Sequence, residues 1–349
     1  MIKIKLNENI LTSFQDFLKI KEFTDYNSQS KSIYWQHHSK QVNFFIKDKY
    51  LYIKGFSGFY LPDEKYSLRT LWRFAKSLLN KLLNYSNPYY LGFFVDRKIT
   101  SAFENVMNGN VSTDIKFDKE KIITKKISHL KKIFPWKRFF INFHIVKTYY
   151  WLNILSNYLD LKNQKFIAEI GGGNGNFISL IKHHYKNKCI VDIDLPETLV
   201  HCIAYIQSIF PNAKILFPHE VKEKITHKVL EKYDFIFLTT SQINYLENNT
   251  IDVFINTGSF CEMTKEQIND YFKLIQRATR KDGFFLNVNR AEKVPIAGKK
   301  KENIPLPPIN KFIEYPFFKE NKILIFEICK FFDQLIKDKI YIRLEKIFK

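Results

Sequence analysis

The spacing of apolar positions changes character near residue 160 of this 349-residue chain. Upstream, Ile10, Leu11, Phe14, Phe17 and Leu18 recur at helical spacing and predict a short amphipathic helix. Residues 43–53 alternate around Lys47-Asp48-Lys49 and predict a hairpin. Residues 66–83 line up Leu68, Leu71, Trp72, Ala75, Leu78, Leu79 and Leu82 on one side, as a helix does. Ile122, Ile123, Ile127, Leu130 and Ile133 mark another helix, ending near Pro135, and residues 139–159 a third. Residues 1–160 therefore read as a mixed, mainly helical region, suited to a substrate-selecting or lid role.

Downstream, short buried runs alternate with helical patterns. Phe166–Ile170 and residues 189–193 read as strands flanking a helix that carries Phe177, Leu180, Ile181 and His184. Pro196 opens a helix with Leu199, Val200, Ile203 and Ile206 inside. Residues 214–217 read as an extra strand. Residues 233–238, 251–255 and 284–288 supply the third, fourth and fifth main strands. Thr264 and Gln267 form a capping box for the helix before the fifth strand, and Gly283 reads as its stop. Residues 323–328 fit strand or helix, and residues 339–347 alternate as a closing strand. Residues 161–349 are thus predicted to form one α/β domain, a Rossmann-like sheet with helices on both faces.

The first of these strands runs into Glu169-Ile170-Gly171-Gly172-Gly173-Asn174-Gly175. Glycines permit positive φ and close approach to bare backbone, and the helix that follows offers unpaired N–H groups. A carboxylate at the end of the next strand, Asp194 or Asp192, can accept hydrogen bonds from both hydroxyls of a ribose. Open α/β sheets bind ligands beyond the carboxyl ends of their strands. The turn, Asp194, Thr239–Gln242, Asn256–Glu262 and Asn289-Arg290 are therefore expected in one crevice, with Thr239 and Thr240 toward an adenine edge. A dinucleotide fingerprint wants glycine where Asn176 stands, which weakens an NAD(P)-linked oxidoreductase reading.

Composition changes this picture little. The formal net charge is +20, but the basic residues are spread along the chain rather than gathered in a block. Cys189, Cys202, Cys261 and Cys329 show no C-x-x-C spacing and read as reduced thiols in a cytoplasmic protein. No metal-ligand spacing is visible, and the amino terminus lacks the apolar core of a signal peptide. Residues 139–159 are interrupted by Asn142, His144, Lys147 and Asn153, unlike a membrane span. The Lys/Pro-rich stretch 291–320 is long enough for a lid or substrate loop.

The pattern Glu169-x-Gly171-x-Gly173-x-Gly175 resembles motif I of class I S-adenosylmethionine (SAM)-dependent methyltransferases. That resemblance implies a turn under the methionine part of the cofactor, with Glu169 near its amino group and Asp194 on the ribose. The stretch Asn256-Thr257-Gly258-Ser259-Phe260-Cys261-Glu262-Met263 looks like the N-T-x-S-F-x-E-M stretch of the sugar O-methyltransferases. The I-D-L-P-E-T-L run at 193–199 and Asn289-Arg290 add to the match. It implies methyl transfer to a sugar hydroxyl in surface polysaccharide synthesis; the residues do not choose between a free, nucleotide-linked, lipid-linked or polymeric sugar or glycan acceptor. A peripheral membrane contact and the oligomeric state stay open.

Glu262 is the first candidate for the general base; capping the next helix or pairing with a lysine is the competing role. Asn256 suits cofactor contact, and Ser259, Asn289 and Arg290 suit acceptor contact. His201 and His219 are minor candidates, and His183 and His184 read as structural. The basic charge suggests an RNA methyltransferase or a nucleic-acid-binding module as rivals. Asn256-Thr257-Gly258-Ser259 is not the stacking tetrad that an RNA base would need, so no nucleic-acid partner is expected.

Overall fold

The computed structural model describes residues 2–20, 31–32, 35–36, 39, 42–54, 143–294, 308–330 and 339–349. The expected helices at 66–83 and 122–133, the loop at 55–59 and much of the 291–320 stretch lie outside the described residues.

Near the amino terminus, β1 (Ile2–Lys5) precedes α1 (Glu8–Phe17), then β2 (Asn43–Lys47) and β3 (Tyr50–Lys54). The hairpin turns at Asp48 and Lys49, both at positive φ, as a two-residue hairpin turn requires. β1, which the helical emphasis of the sequence reading passed over, adds antiparallel to β3 and completes a sheet of order β1-β3-β2. Phe14 and Phe17 of α1 are fully buried and meet Phe217 edge-on at 5.8 and 6.2 Å.

The main sheet begins after α2 (Phe143–Tyr158). Its strands are β4 (Phe166–Ile170), β5 (Cys189–Asp194), β6 (Ile215–Leu216), β7 (Phe235–Thr239), β8 (Ile251–Thr257) and β9 (Thr279–Arg290). A two-stranded ribbon of β10 (Glu292–Lys293) and β11 (Asn310–Lys311) follows, then β12 (Lys322–Ile328) and β13 (Ile340–Lys346). The eight-stranded order is β12-β13-β9-β8-β4-β5-β7-β6. Only β13 runs against the rest. Residues 323–328 thus resolve as strand, and the alternation of Ile340, Ile342 and Leu344 is that of a closing strand.

Helices α3 (Asn176–His184), α4 (Pro196–Ile209) and α5 (Lys265–Ala278) complete the layers. Leu152 and Leu155 of α2, Ile178 and Ile181 of α3 and Leu199 and Ile203 of α4 pack with Ile167, Ile190, Val253 and Leu286 on one face. Ile268, Phe272 and Ile275 of α5 pack with Ala168, Val191, Ile236 and Phe254 on the other. This is the expected Rossmann-like sheet with helices on both faces. The chain proceeds outward from β4 through β5 to β7 and β6, then returns to place β8 on the other side of β4. That reversal creates a crevice at the carboxyl ends of β4 and β8.

The capping box is present: Thr264 N donates to Gln267 Oε1 at 2.9 Å, and Gln267 N donates to Thr264 Oγ1 at 3.3 Å. Gly283, however, is not the helix stop. The helix ends at Ala278, β9 starts at once, and Asp282 takes the left-handed conformation at φ 62°. Gly283 lies within β9, where a Cβ would come within 2.8 Å of the Asp252 carbonyl oxygen, so close backbone approach is what requires glycine.

Candidate functional site

β4 is an entirely buried strand that stops at the glycine turn. Gly171 has φ 71°, and a Cβ there would meet Ser259 Oγ at 2.2 Å. Gly175 caps α3 at φ 75°, with room for a Cβ denied by Cys202 Sγ at 2.7 Å. Both positions demand glycine twice over, by conformation and by contact.

The turn is tied to β5 through its amides. Gly171 N donates to the Ile193 carbonyl at 2.8 Å, and Gly172 N donates to Asp192 Oδ1 at 3.2 Å. Gly173 N donates to Asp194 Oδ2 at 2.9 Å, while Leu195 N donates to Asp194 Oδ1 at 2.7 Å. Asp194 is the last residue of β5 and stands level with Thr239 of β7; Asp192 is inside the strand, level with Glu169. The structure therefore places both candidate acids at the turn, with Asp194 at the strand end.

Glu169, Asp192 and Asp194 form a buried acidic group. Thr257 Oγ1 donates to Glu169 Oε1 at 3.3 Å. Among the described residues, Glu169 Oε2 and Asp192 Oδ2 are buried with no hydrogen-bond partner, while the Cys202 thiol and the Gly172 amide serve the rest of the Asp192 carboxyl. Burial pushes Glu169 up to about 8; the Asp194 charge adds to this, and the Thr257 hydrogen bond and Lys147 oppose it. Asp192 and Asp194 are pushed up too, first by burial, then by the charges of Glu169 and of Asp192 respectively. Among the described residues no group of three or more His, Cys, Asp or Glu is placed to hold a metal ion.

These observations test which ligand fits. A pyrophosphate would find four of the turn's amides already donating within the chain and three carboxyls facing it. A positively charged ligand instead meets acceptor oxygens that lack donors, and it favours their ionised form. This set of acceptor oxygens thus fits a sulfonium bearing an amino group better than a dinucleotide.

Beyond β8 the loop is pinned from below. Asn256 is fully buried; its Nδ2 donates to the Ile170 carbonyl at 2.9 Å and to Ser259 Oγ, and its Oδ1 accepts from Asn289 Nδ2 at 2.7 Å. Asn289 Oδ1 accepts from Cys261 N at 3.2 Å. Asn256, Ser259 and Asn289 therefore come together as expected, but their polar atoms hold the loop against β4. Glu262 follows on a short 3-10 turn and pairs with Lys293, one of the two structural roles foreseen for it. Arg290, half-buried, ends β9. Thr239 is buried in its own turn, its Oγ1 2.8 Å from Ser241 Oγ, and Thr240 is half-buried beside it.

His201, His219 and His184 each pack against an aromatic ring, and His219 Nε2 also lies 3.9 Å from Glu220 Oε1. His201 is buried against Phe44 at 5.7 Å, and burial pulls it down to about 4. His219 stacks on Phe17, and His183 and His184 lie on α3 with Tyr149 5.9 Å from His184.

One residue escaped the sequence reading. Lys147 of α2 is half-buried, with Nζ 5.1 Å from the centroid of the Trp151 ring. Withdrawal from water pulls it down to about 8, against the charges of Glu169 and Glu262, and Arg290 lowers it further. Its only signal in the sequence was a lysine interrupting an apolar helix directly before the glycine turn.

No family model matches the chain, and no curated protein matches it. Solved structures do. The S-adenosylmethionine-dependent methyltransferase SibL in its apo form aligns over 88% of this chain and 81% of its own, at 8% identity and TM-score 0.36. A geranyl diphosphate methyltransferase in complex with SAM aligns over 59% and 87%, at 8% identity and TM-score 0.39. A SAM-dependent methyltransferase from Aquifex aeolicus aligns over 66% and 100%, at 13% identity and TM-score 0.36. These neighbours are SAM-dependent methyltransferases.

Proposed function

We propose that this chain is a SAM-dependent O-methyltransferase acting on a sugar hydroxyl, in the cytoplasmic assembly of a surface polysaccharide. The observation that carries the reading is the acid-lined glycine turn at the switch point, where Glu169 and Asp192 each keep a buried oxygen with no donor among the described residues. When bound, SAM supplies a methyl group on a positively charged sulfur. Glu169 would hold its amino group, and Gly171, Gly172, Gly173 and Gly175 would underlie its methionine part. Asp194 would take the ribose, with Thr239 and Thr240 along the adenine edge. Asn256 holds the turn in shape.

A sugar hydroxyl is a weak acid, so the chain must orient it and accept its proton. Glu262, with one oxygen on Lys293, is suited to accept a hydrogen bond from that hydroxyl. Arg290 suits a carboxylate or phosphate on the acceptor, and Ser259 and Asn289 shape the floor below it. The resemblance of 256–263 to the sugar O-methyltransferases supports the choice of acceptor.

A second reading draws on the turn's amides, four of which bond within the chain. On that reading the crevice is a structural turn in a fold that binds no cofactor. Incubation with labelled SAM and a panel of sugar nucleotides and glycans tests the proposal. Label transferred to a sugar supports it; binding of S-adenosylhomocysteine with label going only to RNA would overturn the sugar assignment.

A further inference from the structure

The eight-stranded sheet ends differently at its two edges. β6 closes one edge with only two residues, too short to recruit another strand. β12 forms the other edge, and among the described residues its outer side pairs with no strand. None of its residues is buried. Ile323 and Phe326 are large apolar side chains left 48% and 46% exposed. Open main-chain groups along an apolar edge are a template for a further strand.

The register against β13 fixes where each side chain of β12 points. Ile323 stands opposite Glu345 and Phe326 opposite Arg343, whereas Lys322, Ile325 and Glu327 stand opposite Lys346, Leu344 and Ile342. Facing residues of an antiparallel pair share a side of the sheet, and β13 alternates. Ile323 and Phe326 therefore lie on one side, and Lys322, Ile325 and Glu327 on the other. Leu324, passed over by the bulge between Ile323 and Ile325, packs against the same apolar cluster as Ile325. A bulge ordinarily blunts an edge. Here it also brings Ile323 and Phe326 to one side, which plain alternation would forbid.

Turned end for end, the strand complements itself. With two copies laid antiparallel about the Leu324–Ile325 bond, Lys322 meets the partner's Glu327, Ile323 meets the partner's Phe326, and Leu324 meets the partner's Ile325. The two members of every such pair lie on the same side of the sheet. Apolar thus covers apolar, and cation meets anion. Among the described residues neither Lys322 nor Glu327 has an ion pair of its own. We propose that this chain forms a symmetric homodimer by antiparallel pairing of its β12 edges, which joins two sheets into one. The contact is isologous and closes at two copies rather than growing into a fibre. An unrelated extended peptide could also add to such an edge. The self-complementary order of charge and apolar bulk favours a second copy.

Sedimentation equilibrium of the full chain should show a dimer with Kd on the order of 10 µM, as suits a small interface. I323S should raise that Kd at least about tenfold through lost apolar cover. K322E and E327K each put like charges opposite one another at both ends of the interface, and each should also raise Kd at least about tenfold. Mixed in equal amounts, the two charge variants restore a cation opposite an anion at both ends. A heterodimer should then form with Kd within about threefold of wild type. A wild-type chain still monomeric at about 200 µM, well above the expected constant, would overturn the proposal. A dimer left unchanged by I323S, K322E and E327K would overturn it too, because the interface would then lie elsewhere. So would charge variants that keep the wild-type circular dichroism spectrum yet fail to associate on mixing.

Discussion

Gly173 N lies 2.9 Å from Asp194 Oδ2, so the turn after β4 is held by the last residue of β5. Asp194 also accepts from Leu195 N and thereby joins the turn to the start of α4. One carboxylate thus sets the position of the crevice floor, and in the proposed function it is the group that would take the ribose. Asp194→Asn can satisfy only one of the two amides and turns a donor toward the other. S-adenosylhomocysteine affinity should fall at least about tenfold, as expected for loss of a charged acceptor, with the circular dichroism spectrum retained. Calorimetry checks the first, and unchanged affinity would separate Asp194 from the cofactor.

Glu169 makes stability depend on pH with a definite sign. In the folded chain it keeps its proton up to about 8, against 4.5 for an ordinary glutamate carboxyl. Between those values the folded state binds more protons than the unfolded state, so its contribution to stability falls as pH rises. A glutamine at this position does not titrate. E169Q should therefore gain on wild type in melting temperature from about pH 4.5 to about pH 8 and level off above, while binding SAM more weakly. Thermal melts across that range, with and without SAM, test both halves.

Lys147 contributes with the opposite slope in a higher window. Its folded value of about 8 lies below the ordinary 10.5, so between these the unfolded state binds more protons and stability rises with pH. K147M lacks that rise. Its melting-temperature advantage over wild type should be constant below about pH 8 and shrink toward pH 10.5.

Gly171 and Ser259 are coupled by contact. Gly171→Ala adds a Cβ at 2.2 Å from Ser259 Oγ and forces an L-residue to φ 71°. The conformational part alone costs about 1–2 kcal/mol. Ser259→Gly in the same chain should relieve the clash and leave the strain. A double-mutant cycle from denaturant melts should give a coupling of about 0.5–3 kcal/mol. Additive effects would mean that the two residues do not touch.

Much of the scaffold was legible because it rests on local signals. The buried run of β4, the left-handed glycines, proline opening α4 and the Thr264 capping box each announce themselves within a few residues. What stayed hidden depends on long-range approach. Gly283 looked like a helix stop until the Asp252 carbonyl was seen beneath it. Asn256 and Asn289 read as ligand-facing, yet bond each other across two neighbouring strands. Glu262 and Lys293 meet across a segment whose path no periodicity describes. Lys147 was hidden for another reason: a polar residue on an apolar helix reports only that the helix is not membrane-spanning. No helix among the described residues is long and apolar enough to cross a membrane.

The most direct measurement is calorimetric titration of the full chain with S-adenosylhomocysteine and, separately, with NADH. An acid-lined turn predicts saturable one-to-one binding of the first, lost in D194A, and no heat from the second. Binding of NADH instead, or of neither compound by a folded chain, would contradict the account.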